Sequence, residues 1–316
     1  MRGRAQGGPV LDDKVVVVTG SNVGIGKETA VALASMGATV VLACRNQEKA
    51  AAAAAEVKQR SGNDDVHIVK LDLANLASVR ACTEEITESW PRLDVLINNA
   101  GGMWTQRSTT AQGFEQTLGV NHLGHFYLTT LLLDQLKASS PARIINVASV
   151  AHHLPVRGMR WQDLHTERRY TGMRAYSQSK LANVLFTRAL ARRIDPLEVT
   201  ANAVHPGAVR SGFGMDGDMK GFLGFGNKIF RLLEISAKRG ARTPIYLASD
   251  PSLDGVSGGY WVRRRPGHMS RAARDDTSAD RLWDESERLL ASVGFPVEPT
   301  VPAVTTLSPP GTLARG

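Results

Sequence analysis

Cysteine is scarce: among 316 residues only Cys44 and Cys82 occur. Two thiols cannot build a disulfide framework or a four-thiolate zinc site, so a reducing, cytoplasmic setting is the expectation. Aromatic residues make up 6%, and nowhere do they interleave with basic ones as in proteins that stack single-stranded nucleic acid; no specific nucleic-acid partner is expected. No apolar run reaches the roughly 18 residues of a membrane-spanning helix, and the first ten residues lack a signal peptide's apolar core. Acidic charge is in deficit, 30 against 38 basic residues, for a net +8. Much of the excess lies in Arg2, Arg4 and a cluster of Arg263, Arg264, Arg265, Arg271 and Arg274, which is read as solvated surface rather than an interaction patch. The remaining composition, 42% hydrophobic and 22% charged, is that of a globular chain long enough for one large domain.

Short apolar runs rich in Val and Ile fall at 14–19, 39–43, 67–71, 93–97, 143–147, 199–204 and 259–262. Continuous runs of this kind suit strands buried on both faces. Helical stretches fill the gaps at 24–36, 47–60, 76–89, 113–136, 174–194 and 237–248. Strand and helix in alternation predict a single-domain Rossmann fold: a doubly wound parallel sheet of about seven strands with helices on both faces. Residues 1–12 are read as a loose leader, 13–293 as the domain, and 294–316, with five prolines, as a tail without packed structure.

The first strand runs into Thr19-Gly20-Ser21-Asn22-Val23-Gly24-Ile25-Gly26 and then a helix. Glycines at these positions permit a sharp turn, close approach of a pyrophosphate and tight helix–strand packing, with free N–H groups of the helix start aimed at phosphate. Gly20, Ser21, Asn22, Gly24, Ile25 and Gly26 are therefore candidate dinucleotide contacts. A carboxylate after the second strand would bind the adenosine ribose 2′-hydroxyl; here the sequence is Ala43-Cys44-Arg45-Asn46, with no acid before Glu48. Arg45 can pair a 2′-phosphate, with Ser21 or Lys27 assisting, so NADP(H) is favoured over NAD(H).

Hydride transfer to or from a carbinol carbon needs a group that moves the hydroxyl proton, and a free phenol, with a pKa near 10, is too weak an acid to ionise at neutral pH. A lysine one helical turn later shares the tyrosine's face, and its ammonium is expected to lower the phenol's pKa. Tyr176 and Lys180 have this spacing. Tyr170 has Arg174 four residues on, which cannot shuttle a proton, and is set aside. Ser149 closes the fifth strand, where its hydroxyl can polarise a carbonyl.

The glycine spacing, Asn98-Asn99-Ala100-Gly101 and Tyr176-Ser177-Gln178-Ser179-Lys180 together resemble the short-chain dehydrogenase/reductase family over about residues 14–262. The stretches Gly20 to Ala30 and Ala43-Cys44-Arg45-Asn46 resemble its retinol dehydrogenase and WW-domain oxidoreductase branch. The resemblance implies that Asn121 completes a proton relay with Lys180 through a water, and that Tyr176 and Lys180 also contact the cofactor. It places Asp72 and Leu73 beside the adenine, Asn98, Ala100 and Gly101 along the cofactor floor, and Pro206, Gly207, Val209 and Ser211 at the nicotinamide carboxamide. It further implies a homodimer built on the helices at 113–136 and 174–194.

Twenty-six residues separate Ser149 from Tyr176, about twice as many as in compact members of the family. This segment, with His152, His153, Trp161 and His165, is read as a loop beside the substrate. Residues 212–236 mix glycines with Phe213, Met215, Phe222 and Phe225 and suit either a lid over an apolar substrate or a packed helix pair. Met103 and Trp104 add apolar surface near the asparagine motif. A lipophilic carbonyl or alcohol follows as substrate: a retinoid, steroid, long-chain aldehyde or polyketide-like ketone. His122 and His125 lie three apart on a helix, but no third ligand has metal-binding spacing, and no metal is expected. The competing reading is an NADP(H)-binding regulator without turnover, from which loss of Tyr176 or Lys180 would be expected; both are present.

Overall fold

In the computed structural model, which describes residues 10–207 and 236–297, the valines of the first strand divide between two cores. Val15 and Val17 of β1 (Val15–Thr19) join one apolar cluster and Val16 and Val18 the other, as the two-residue period of a strand requires. β1 pairs in parallel with β2 (Thr39–Cys44) and with β4 (Val95–Asn98). β3 (Val66–Lys70) extends the sheet beyond β2, and β5 (Ala142–Val147), β6 (Val199–His205) and β7 (Tyr260–Val262) extend it beyond β4. With a short last strand, β8 (Arg265–Pro266), the order is β3-β2-β1-β4-β5-β6-β7-β8. It reverses direction between β1 and β4, opening a crevice outside their carboxyl ends.

Helices α1 (Gly24–Ala34), α2 (Gln47–Ser61) and α8 (Ala237–Ser249) cover one face; α3 (Leu76–Ser89), α5 (Gly124–Leu131), α7 (Gly172–Ala191) and α9 (Asp276–Ser292) cover the other. Local chemistry sets several ends. Asn46 caps α2 through Lys49 N–H, Asn75 caps α3 through Ala77 N–H, and Thr171 caps α7 through Arg174 N–H. Among the described residues no helix is long and apolar enough to cross a membrane.

Five expectations change. The sheet has eight strands, because β8 (Arg265–Pro266) folds back antiparallel on β7. Its turn places Arg263 and Arg264 at φ 52° and 63°, positions where a hairpin prefers Asn or Gly, so the sequence carries no turn signal there. The helix expected at 113–136 is broken into α4 (Gln116–Leu118), a π turn at Gly119–Leu123, α5 and α6 (Leu133–Ala138). Leu11, in the stretch read as loose, is buried, and its N–H donates to the Met36 carbonyl at 2.9 Å. Phe295, in the stretch read as an unpacked tail, meets Tyr127 edge-on and lies under Arg80.

The fifth change concerns α9, which the strand-and-helix reading missed although Ala279, Leu282, Trp283, Ser286, Leu289 and Leu290 recur at helical spacing and are buried. Trp283 packs edge-on against Phe126 of α5 at 4.9 Å and stacks on Phe186 of α7 at 5.9 Å. Asp276 and Asp280 take Arg188, Arg192 and Arg193. Aromatic surface on the two helices that the resemblance assigned to a homodimer contact is thus covered by the chain itself.

Candidate active site

The crevice begins at the glycine loop. Gly20 has φ 62°, and a Cβ there would lie 2.8 Å from Cβ of Ala100; a Cβ on Gly26 would lie 2.6 Å from the Gly20 carbonyl oxygen. Neither approach leaves room for a side chain, so glycine is dictated sterically. Val23, the N-cap of α1, has no side-chain acceptor to offer, and the first turn contains no acid. Its leading N–H groups are left without the side-chain cap that α2, α3 and α7 receive, which is the arrangement that accepts phosphate. Asn22 and Ile25 are half-buried on this turn. The Ser21 hydroxyl, by contrast, is buried and donates to the Val18 carbonyl at 2.8 Å, and Lys27 pairs with Glu56 at 2.5 Å. Both side chains thus have partners within the fold, and Arg45 is exposed one residue past β2.

At the end of β4 the two asparagines face opposite ways. Asn98, expected on the cofactor floor, is buried in a ladder of polar side chains: its Nδ2 donates to Asn146 Oδ1 at 2.8 Å and to Thr129 at 2.9 Å, and Asn146 donates to Thr187. Asn99 instead ties the glycine loop, donating to the carbonyls of Thr19 at 2.8 Å and Gly20 at 3.2 Å. Thr19, which no motif marks, is the hub of this corner. Its hydroxyl accepts N–H bonds from Asn99 and Ala100 and lies 2.9 Å from His125 Nε2. Gly101 is exposed just beyond. Asp72 accepts from Ala74 N–H and Leu73 is buried against Gly124; Pro206 and Gly207 are half-buried after β6. Val209 and Ser211, and all of 212–236 except Ser236, lie outside the described residues.

Ser149, Tyr176, Lys180 and Asn121 are brought together at the carboxyl ends of β5 and β4. Ser149 caps a 3₁₀ turn at Val150–His153, and its hydroxyl lies beside the Tyr176 phenol and favours the ionised form. Lys180 is buried, with Nζ 5.6 Å from the centre of the Tyr176 ring and donating to the Val147 carbonyl at 3.0 Å. Asn121 sits in the π turn, fully buried; its Oδ1 accepts from Gly102 N–H at 2.8 Å and its Nδ2 donates to the Gly102 carbonyl and to Ser179 at 2.9 Å each. It thereby clips the loop after β4 to α7 at Ser179.

One electrostatic expectation reverses. Burial pushes the Tyr176 phenol up, and only the neighbouring Ser149 hydroxyl pulls it back; burial pushes Lys180 down to about 8. The ammonium lies over the ring and bonds a carbonyl, so desolvation outweighs its pull on the phenol. Tyr170 is excluded as its phenol donates to the Trp104 carbonyl at 2.8 Å and burial raises it to about 12. His122 and His125 look to different partners, Ser286 and Thr19, and no metal-ligand group occurs among the described residues. The long segment before Tyr176 is anchored: Gln178 bridges Gly158 and Arg160, and His165 stacks on Phe114.

A glycine-walled, uncapped helix start at the switch point of a parallel sheet, with a half-buried tyrosine and a buried lysine beside it, defines an α/β oxidoreductase that uses a nicotinamide dinucleotide. The chain belongs to the short-chain dehydrogenase family, whose model (short chain dehydrogenase) matches residues 14–161 and 164–219, and within it to the retinol dehydrogenase branch. It is 46% identical to human retinol dehydrogenase 12 over 280 residues, covering 89% of this chain and 87% of that protein. Human retinol dehydrogenase 13 is 45% identical over 286 residues, 89% and 85% of the two chains. Among solved structures, an uncharacterised protein from Mycobacterium paratuberculosis superposes with a TM-score of 0.71 at 35% identity, covering 92% of this chain and 97% of that one. The protein is thus a NAD(P)-dependent dehydrogenase/reductase acting on alcohol and carbonyl groups.

Proposed function

We propose that the chain interconverts a lipophilic alcohol and its aldehyde or ketone with NADP(H), using Tyr176 as the proton-transferring group. The observation that carries this reading is the convergence of the Tyr176 phenol, the Ser149 hydroxyl and Lys180, whose Nζ lies 5.6 Å from the centre of the tyrosine ring, at the carboxyl edge of the sheet beside the glycine loop. When bound, the nicotinamide dinucleotide supplies or takes up the hydride. Ser149 and Tyr176 hold the substrate oxygen between two hydroxyls, and Tyr176 gives the proton in reduction and takes it in oxidation. Lys180, cationic at neutral pH and bonded to Val147, orients the nicotinamide ribose, and Asn121 keeps the Gly102 loop in place beside it.

Arg45 supports the phosphate-bearing cofactor. It is exposed at the end of β2 with no carboxylate before Glu48. The lipophilic substrate is supported by relatives named for retinol. It is supported also by Val150, Leu154, Val156 and Met173, four exposed apolar side chains on the stretch joining Ser149 to Tyr176. The test is NADPH oxidation against all-trans-retinal, long-chain aldehydes and a steroid ketone, with Tyr176→Phe as control. Turnover of an apolar carbonyl that the variant loses supports the reading; NADPH binding without turnover of any of them overturns it.

A further inference from the structure

We infer that His152 is a positioning residue: it holds the Ser149 backbone against the segment that follows β8, and so sets where the serine hydroxyl points. The inference rests on the reading of Ser149 as the group that binds the substrate oxygen.

The ring is fully buried and both nitrogens are used. Nε2 accepts from the Ser270 N–H at 3.2 Å, so it carries no hydrogen. The proton is therefore on Nδ1, which donates to the Ser149 carbonyl at 2.7 Å. A second bond closes the clasp, from the Ser270 hydroxyl to the His152 carbonyl at 3.3 Å, and Ser270 in turn accepts from Ala273 N–H. The ring also meets Tyr260 of β7 edge-on, 4.6 Å between centres. One imidazole thus joins the serine turn, the end of β7 and a segment 118 residues further along the chain.

Ser149 itself is extended, at φ −159° and ψ 157°, and its hydroxyl must accept from Ala151 N–H while meeting Tyr176. Its carbonyl is the handle that fixes this conformation, and His152 holds that handle. The main-chain N–H of His152 also reaches that carbonyl, at 3.1 Å, but only the neutral ring can tie it to Ser270, because a proton on Nε2 would oppose the Ser270 N–H. The surroundings favour the neutral form: burial first, opposed by the bond to Ser149 and aided by the adjacent His153 ring and by those of His205 and His268 on neighbouring segments, holds it at about 4, and Tyr260 is uncharged beside it.

The experiment uses the full chain with nonanal and NADPH, comparing His152→Ala, His152→Asn, His152→Gln and Ser149→Ala. Asparagine places a donor near the position of ring Nδ1; glutamine reaches only toward that of Nε2. We expect His152→Ala and His152→Gln to lose about 20-fold or more in kcat with KM changed less than about threefold. His152→Asn should remain within about threefold of the parent in kcat. Nitrogen-15 NMR of the parent's imidazoles should show His152 as the neutral Nδ1–H tautomer down to pH 5, a readout that survives if a variant fails to fold. The inference is overturned if His152→Asn is as impaired as His152→Ala, if all three variants turn over normally, or if His152 titrates near 6.5. Normal turnover in Ser149→Ala removes the serine from the site and the inference with it. An inactive Ser149→Ala beside fully active His152 variants removes His152 alone.

Discussion

The Thr19 hydroxyl stands 2.9 Å from Nε2 of His125 while accepting two backbone N–H bonds, from Asn99 and Ala100, at 2.9 Å each. With its oxygen so occupied, its one hydrogen goes to Nε2, which places the imidazole proton on Nδ1, 3.3 Å from the Asn121 carbonyl. A single buried hydroxyl therefore couples the glycine loop, the asparagine motif and the π turn. Thr19→Ala would leave the Ala100 N–H and a ring nitrogen without partners and take from the Asn99 N–H one of its two acceptors, the other being the Ile97 carbonyl. A loss of about 1–3 kcal/mol in chemical denaturation is expected, with weaker dinucleotide binding, whereas Thr19→Ser should stay within about 1 kcal/mol of the parent.

Because burial raises the Tyr176 phenol, it remains protonated through neutral pH. Aldehyde reduction, which needs the protonated phenol, should be flat near pH 7 and fall only on the alkaline side. Alcohol oxidation, which needs the phenolate, should climb as pH rises. Opposite slopes of kcat/KM in the two directions would be observed by steady-state kinetics; parallel slopes would remove Tyr176 from the proton transfer.

Stability should fall on mild acidification. Burial holds His122 and His125 at about 3 and His152 and His205 at about 4, against 6.5 in the unfolded chain. Between 6.5 and these values the unfolded chain binds more protons, so each ring costs roughly 1.4 kcal/mol per pH unit until its folded-state value is reached. Above 6.5 the penalty vanishes. His122 lies among Phe126, Phe186 and Ser286, and Ser286 also donates to the Leu282 carbonyl. His122→Phe should thus fold and lose about one proton from the slope of unfolding free energy between pH 6 and 4.

Cofactor choice should follow Arg45. Arg45→Glu is expected to weaken NADPH binding by about 10–100-fold, the size of a lost charge-assisted contact, while leaving NADH little changed. Fluorescence titration measures both. A parent protein that binds NADH more tightly than NADPH would overturn the assignment.

Trp283 is buried against Phe126 and Phe186, with Arg193 over its ring. Trp283→Ala should cost about 3–5 kcal/mol. Since α9 covers aromatic surface on α5 and α7, the parent should run as a monomer in light scattering. Removing residues 276–316 should uncover that surface and cause self-association.

The alternation of strand and helix, the glycine turn and the four-residue spacing of Tyr176 and Lys180 were all legible in the chain, because each depends on a local period or on steric limits of a few consecutive residues. Helix α3 came out with its observed bounds for the same reason, its cap and apolar stripe being close neighbours. What lay beyond the sequence was direction and depth. Nothing in Asn98-Asn99 says which amide turns into a buried ladder and which ties the phosphate loop, and nothing near Ser149 points to Ser270. The electrostatic sign at Tyr176 was likewise decided by the fold: spacing brings an ammonium near a phenol, but only packing fixes how much water both lose, and there desolvation exceeds attraction. A linear chain specifies which groups are one turn apart; the partners of a buried polar group are chosen by whatever the folded sheet and helices carry to it from a hundred residues away.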